Sequence, residues 1–166
     1  MEIKTTPHQL FAHLPDFSKL WIYQSNRLLT PSEQTYLYEQ MVEFIEQWAA
    51  HGNKLAASFQ LVDNLFLLIA VDEKAAIASG CSIDASVRFV QKLQTTIGND
   101  FFNRLQVAYL INKKLRFGNL AQFEEQIKLG EVTPDTLVFN NTIQTVGELK
   151  NNWLIPAKNS WLSRYF

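Results

Sequence analysis

Apolar and polar positions follow two different periods along this chain, and the switches between them mark its elements. Lys19-Leu20-Trp21-Ile22-Tyr23-Gln24 is short, aromatic and β-branched and follows the turn-prone Pro15-Asp16, which predicts a strand. Thr30-Pro31-Ser32-Glu33 then supplies a hydroxyl N-cap, a proline at the first helical position and a glutamate three residues after the cap. Leu37, Met41, Phe44, Ile45 and Trp48 follow at helical spacing, which predicts a helix over 31–51 closed by His51-Gly52. Lys54 to Val62 and Leu65 to Val71 read as an antiparallel hairpin turning at Asp63-Asn64, the second strand apolar enough to be buried on both faces. A second helix starts near Cys81 to Asp84, with Ile83, Val87, Val90, Leu93 and Ile97 inward, and stops at Gly98. Arg104 to Ile111 is a further strand.

This order, strand-helix-strand-strand-helix-strand, predicts an α+β fold of the ferredoxin-like, split βαβ type (βαββαβ), with both helices on one face of a four-stranded antiparallel sheet. The whole chain, 1–166, reads as a single domain with a core over 15–112 and a C-terminal α/β appendage over 113–166 packed on it. In the appendage the pattern predicts a short strand at Lys114 to Phe117 and a helix with Leu120, Phe123 and Ile127 inward and Gly130 at its stop. Leu137 to Phe139 and Thr142 to Gln144 flank Asn140-Asn141 as a small hairpin, and Thr145 with Glu148 opens a short helix through a capping box. A ferredoxin-like sheet leaves one face open, and the aromatic tail with Trp153, Trp161, Tyr165 and Phe166 is the expected cover, ahead of a second subunit.

Composition narrows the classes of function. Apolar residues are 47% and charged residues 19%, as in globular domains, and a formal charge of -1 provides no overall field for nucleic acid or an anionic membrane. Neither Trp21-Ile22-Tyr23 nor Phe66-Leu67-Leu68 carries the basic-aromatic pattern of RNA-stacking sheets. The longest apolar run, Leu65 to Val71, is far below the roughly 20 residues a membrane helix needs. One cysteine excludes an intramolecular disulfide, and Met1 to His8 lacks the basic and apolar regions of a secretory leader, so the expected compartment is the cytoplasm. No phosphate-binding or dinucleotide-binding glycine loop occurs, and one cysteine with three scattered histidines has no zinc-ligand spacing; neither a cofactor nor a metal is expected.

The candidate chemistry gathers between Asp72 and Asp84. Gly80, Cys81 and Ser82 stand where a helix begins, where free N–H groups and the helix dipole favour an anion and activate a thiol. Cys81 is the candidate nucleophile, His51 the candidate base, and the amides of Ser82 and Ile83 the candidate anion donors. Against this stands a structural reading in which Cys81 or Ser82 caps the helix and Asp84 favours its dipole, and that reading is preferred. Asp72 and Glu73 should emerge at a strand end beside Ser79 to Asp84, with Arg27 and Arg104 within reach as an anion clamp or as structural partners of those acids. The candidate ligand-binding residues are therefore Arg27, Asp72, Glu73, Ser79, Gly80, Ser82 and Asp84. The leading expectation is a non-catalytic module that binds a second copy of itself or a small anionic ligand at this rim; a cysteine-dependent enzyme and a single-stranded nucleic-acid binder are the alternatives.

The run Trp21 to Arg27, Phe44 to Trp48 with His51-Gly52, Val71-Asp72-Glu73, Ser79-Gly80-Cys81-Ser82-Ile83-Asp84 and the closing Ser160-Trp161 together resemble a family of small uncharacterised bacterial cytosolic proteins. Members are sometimes labelled ATPase components of ABC transporters, a label that the missing nucleotide motifs contradict here. The resemblance implies a discrete bacterial cytosolic domain and carries no catalytic residue over to this chain.

Overall fold

The computed structural model describes residues 1–3 and 6–166, and in chain order its elements begin with β1 (Lys19–Gln24), α1 (Pro31–Gln47), β2 (Ala49–Ala50) and β3 (Asn53–Lys54). They continue with β4 (Ala56–Val62), β5 (Phe66–Asp72), α2 (Gly80–Ile97), β6 (Gln106–Ile111), β7 (Lys114–Asn119) and α3 (Leu120–Lys128). β8 (Leu137–Phe139), α4 (Val146–Asn152) and β9 (Leu154–Pro156) complete the chain, with short 3₁₀ turns near both ends. The fold is α+β.

β5 is buried from Phe66 to Val71 because it is the middle strand of a three-stranded antiparallel sheet in the order β1-β5-β4. Its side chains alternate between two cores. Leu67, Ile69 and Val71 face α1 and α2 with Leu37, Met41, Val90 and Leu93, whereas Phe66, Leu68 and Ala70 face Leu10, Phe11, Ile143, Val146, Leu149 and Trp153. The second face is thus covered by the N-terminal arm, α4 and Trp153. Trp161 and Tyr165 belong to a third core around Phe123, and Phe166 makes an edge-on contact with that ring at 6.5 Å.

The four-stranded sheet expected over 15–112 is not formed there. β6 pairs instead with β7 and β8, giving a second sheet in the order β7-β6-β8-β9 that joins residues on both sides of position 112. Beside β1, where a fourth strand would stand, an isolated bridge from Lys19 to Thr145 is the only strand pairing among the described residues, with Leu20 N–H donating to Gln144 C=O at 2.9 Å. Thr142 to Gln144 follows that edge rather than closing a hairpin on β8, whose partner is β9. α4 is docked by two backbone bonds, from Val146 N–H to Ser18 C=O and from Gly147 N–H to Asp16 C=O, and a Cβ at Gly147 would meet Asp16 at 3.0 Å.

Two local expectations also change. α1 stops at Gln47, and His51 (φ 50°) and Gly52 (φ 78°) form the tight turn of the β2–β3 ribbon instead of ending the helix. Ser79 is the N-cap of α2, its Oγ accepting from Ser82 N–H at 3.2 Å, so neither Cys81 nor Ser82 caps and Asp84 lies beyond the first turn. Asp63 and Asn64, with φ of 50° and 57°, turn the β4–β5 hairpin as their tolerance of left-handed backbone predicts.

Candidate functional site

The Asp72 to Asp84 rim closes on itself. Asp72 Oδ1 accepts from Lys74 N–H at 3.0 Å; Glu73 accepts from Ala78 N–H at 2.8 Å and pairs with Lys19 Nζ at 3.3 Å. These carboxylates shape the β5–α2 loop. At the helix start, Ser82 N–H is bonded to Ser79 Oγ and Ile83 N–H to Ser79 C=O at 2.9 Å. Both amides expected to hold an anion are therefore engaged. Ser82 is buried, with its hydroxyl donating back to Ser79 C=O at 2.8 Å and its own carbonyl accepting from the Trp48 indole at 2.8 Å. Gly80, Cys81 and Asp84 are exposed, and His51 stands exposed on the ribbon turn; no hydrogen bond joins Cys81 to His51 among the described residues.

Arg27 lies elsewhere. Its guanidinium is held bidentately by Glu33 at 2.8 and 2.9 Å and donates to Ile97 C=O at 2.7 Å, at the C-terminal end of α2. An 18-residue helix is about 27 Å long, so Arg27 and the Ser79 to Asp84 turn occupy opposite ends of it. The hydrogen bonds from Arg27 and from the Thr30 backbone hold the Glu33 carboxyl at about 2, below the usual carboxylate range. Arg27 thus ties the start of α1 to the end of α2.

What the fold assembles instead is a groove of about 910 Å³ along the outer edge of β1. Trp21, Ile22 and Tyr23 form its floor, Ile83 and Val87 of α2 one wall, Phe101 to Arg104 one end, and Phe139 with Asn141 to Thr145 the other wall. Trp161 and Leu162 close it from the C-terminus, and Glu73 and Lys19 reach its far end. Because Leu20 N–H points away from β5, antiparallel alternation places the backbone groups of Ile22 and the Gln24 N–H on this same outer edge. None of these has a backbone partner there among the described residues.

The groove is rigidly built. Trp153 Nε1–H donates to Asn141 Oδ1 at 2.9 Å, and Asn141 Nδ2–H donates to Gln24 Oε1 at 2.8 Å; the buried Gln24 Nε2 at the end of this relay has no partner among the described residues. The 101–104 loop is pinned by Phe101 N–H to Gln94 Oε1 at 2.8 Å and by an edge-on contact of Phe102 with Tyr23 at 5.4 Å. Burial pushes the Tyr23 phenol up to about 12, only partly offset by the Ser86 hydroxyl, so it stays neutral. Arg104 carries the groove's unbalanced charge, since the other basic side chain, Lys19, is paired with Glu73 and Arg104 forms no ion pair among the described residues. Pattern reading named Arg104 but not the groove, whose walls come from six separate stretches of the chain.

In comparisons with known proteins, no protein family, no curated protein and no solved structure matches this chain. Among the described residues no three His, Cys, Asp or Glu side chains converge as metal ligands, and no helix is long and apolar enough to cross a membrane.

Proposed function

We propose that this chain is a non-catalytic binding module, and that its ligand is a small, largely apolar anion held in the groove beside β1 rather than at the Asp72 to Asp84 rim. The observation that carries this reading is the combination of aromatic walls with one unpaired guanidinium, Arg104, in a cavity of about 910 Å³. That volume suits a small organic ligand, and such sites pair apolar surface with a few fixed polar groups. The unpaired backbone edge at Ile22 and Gln24 offers further donors and an acceptor to orient it. The engaged amides at Ser82 and Ile83 favour the groove over the helix start. In this reading the chain is a bacterial cytosolic domain whose core is a ferredoxin-like arrangement lacking its fourth strand, and the ligand occupies part of that strand's place.

Titration of the full chain with the aromatic sulfonate 8-anilino-1-naphthalenesulfonate tests the reading. The expected result is saturable binding at one site, weakened at least tenfold by Arg104→Glu with unfolding stability unchanged. Absence of binding, or binding indifferent to Arg104→Glu, would overturn it.

A further inference from the structure

The groove beside β1 is a strand position that the chain itself fills only at its margins. At one end Gln144 to Val146 lies antiparallel against β1, through Leu20 N–H to Gln144 C=O at 2.9 Å and Val146 N–H to Ser18 C=O at 3.0 Å. Past the other end, Asn26 N–H donates to Asp100 C=O at 3.1 Å. Between these bonds the outer edge of β1 has no strand partner among the described residues, because Gln144 N–H turns away to the Glu148 carboxylate at 2.9 Å. The open stretch, from Leu20 to Gln24, is about 14 Å long. What covers β1 on either side of it is extended backbone.

That stretch presents amide groups in a fixed order. Trp21 and Tyr23 bond to β5, so Leu20 C=O, Ile22 N–H, Ile22 C=O and Gln24 N–H are directed to the groove, and none has a hydrogen-bond partner among the described residues. Leu20 and Gln24 are only 4% and 5% exposed, and backbone groups buried to that degree are almost always met. A simple anion cannot meet them, since it supplies acceptors only and the carbonyls of Leu20 and Ile22 need donors. Donors and acceptors alternating at strand spacing are the chemistry of an extended peptide. The walls agree with this. Successive side chains of a strand point to opposite faces, and the groove is apolar on both, with Ile83 and Val87 on the α2 side and Phe139 and Ile143 on the other.

We infer that the ligand of this groove is a short apolar peptide with a free C-terminal carboxylate, added to β1 as an extended strand of about three residues. The inference rests on the groove being the binding site, as proposed above, and adds the chemical class of its occupant. Each part of the ligand answers a part of the site. Its amides meet the open edge from Leu20 to Gln24, its apolar side chains fill the two walls, and its carboxylate meets Arg104, which is exposed and forms no ion pair among the described residues. An aromatic sulfonate fills the walls and meets Arg104 but offers no row of amides.

The test titrates acetyl-leucyl-phenylalanyl-valine, as the free acid, into the full chain with 8-anilino-1-naphthalenesulfonate bound. The peptide should displace the sulfonate, and its C-terminal amide should do so about tenfold or more weakly. Two further probes carry one methyl on a peptide nitrogen, at phenylalanine or at valine. Neighbouring N–H groups of a strand point to opposite edges, so one methyl should weaken displacement about tenfold or more and the other by less than about threefold. Only the probe changes, so loss of folding does not enter the comparison. A peptide that leaves an Arg104-dependent sulfonate in place, an amide that matches the acid, or two methylated probes that behave alike would each overturn this inference while the site itself stands. Absence of sulfonate binding would overturn both.

Discussion

Trp48 donates its indole N–H to the backbone carbonyl of Ser82 at 2.8 Å, a buried bond that joins the end of α1 to the first turn of α2. Trp48 also stands edge-on to Trp21 at 6.1 Å and against Phe44 at 5.3 Å, so one side chain locks β1, α1 and α2 together. The serine-rich start of α2 is in this way part of the core and not a vacant anion site. Trp48→Phe keeps much of the ring packing and removes the donor, leaving the carbonyl with its helical partner. The expected cost is about 1 kcal/mol in urea unfolding, with faster amide exchange confined to the first turns of α2. A loss spread over the whole sheet would show that the packing, not the hydrogen bond, is what matters.

The Arg27–Glu33 pair has a defined pH signature. Glu33 is held at about 2 in the folded protein by the Arg27 hydrogen bonds, below its unfolded value near 4.3, so the pair stabilises fully above that unfolded value. The contribution fades as pH falls from about 4.5 towards 2, because the unfolded chain takes up the proton first. Glu33→Gln should cost about 1–2 kcal/mol at pH 7 through the lost bidentate pair, a figure already discounted for partial exposure. The gap from wild type should narrow to about half by pH 3 and close only near pH 2. A gap that stays constant would mean that the capping box with Thr30, not the guanidinium, carries the effect.

Phe66, Phe139 and Trp153 join the two sheets, with ring separations of 5.0 to 5.1 Å among the three and Phe66 and Trp153 fully buried. Phe66→Ala should destabilise by about 3–5 kcal/mol. Because the rings touch, Trp153→Ala combined with it should cost less than the sum of the single losses, and a double-mutant cycle measures the difference. Strict additivity would indicate that the Phe66 and Trp153 rings do not support one another.

Cys81 and His51 are expected to be dispensable. Cys81 is exposed and makes no hydrogen bond to His51, so iodoacetamide should modify it in the folded protein without changing sulfonate binding or the unfolding midpoint. His51→Gly should hold or raise stability, since φ of 50° costs a non-glycine residue about 1 kcal/mol or less. Loss of groove binding on alkylation of Cys81 would return the rim to consideration.

The local devices of this fold were legible in its sequence, because each is settled by residues within a few positions of one another. Thr30-Pro31-Ser32-Glu33 and Thr145 with Glu148 are capping boxes in the structure, Asp63-Asn64 turns the hairpin, and β1 has the bounds that its aromatic, β-branched run predicts. The run of apolar residues from Leu65 to Val71 correctly marked a strand covered on both sides. The misread stretches are those where two local signals compete. His51-Gly52 suits a helix stop and a ribbon turn equally, and Ser79, Cys81 and Ser82 are all acceptable near a cap; tertiary bonds from Leu55 N–H to Trp48 C=O and from the Trp48 indole to Ser82 decide between them.

The sequence alone therefore determined the class, the helix starts at Thr30 and Thr145, the tight hairpin turn and the central strand, all of which depend on backbone preference and side-chain period. Only the tertiary structure decided that β6 leaves β1 for a second sheet, that Arg27 stands a helix length away from the acids it was expected to meet, and that β1 and β4 are the outer strands of the three-stranded sheet. Strand partners are chosen by how two cores are filled at once. That choice depends on contacts such as Lys19 with Thr145 and Gln24 with Asn141, more than a hundred residues apart, which no local pattern encodes.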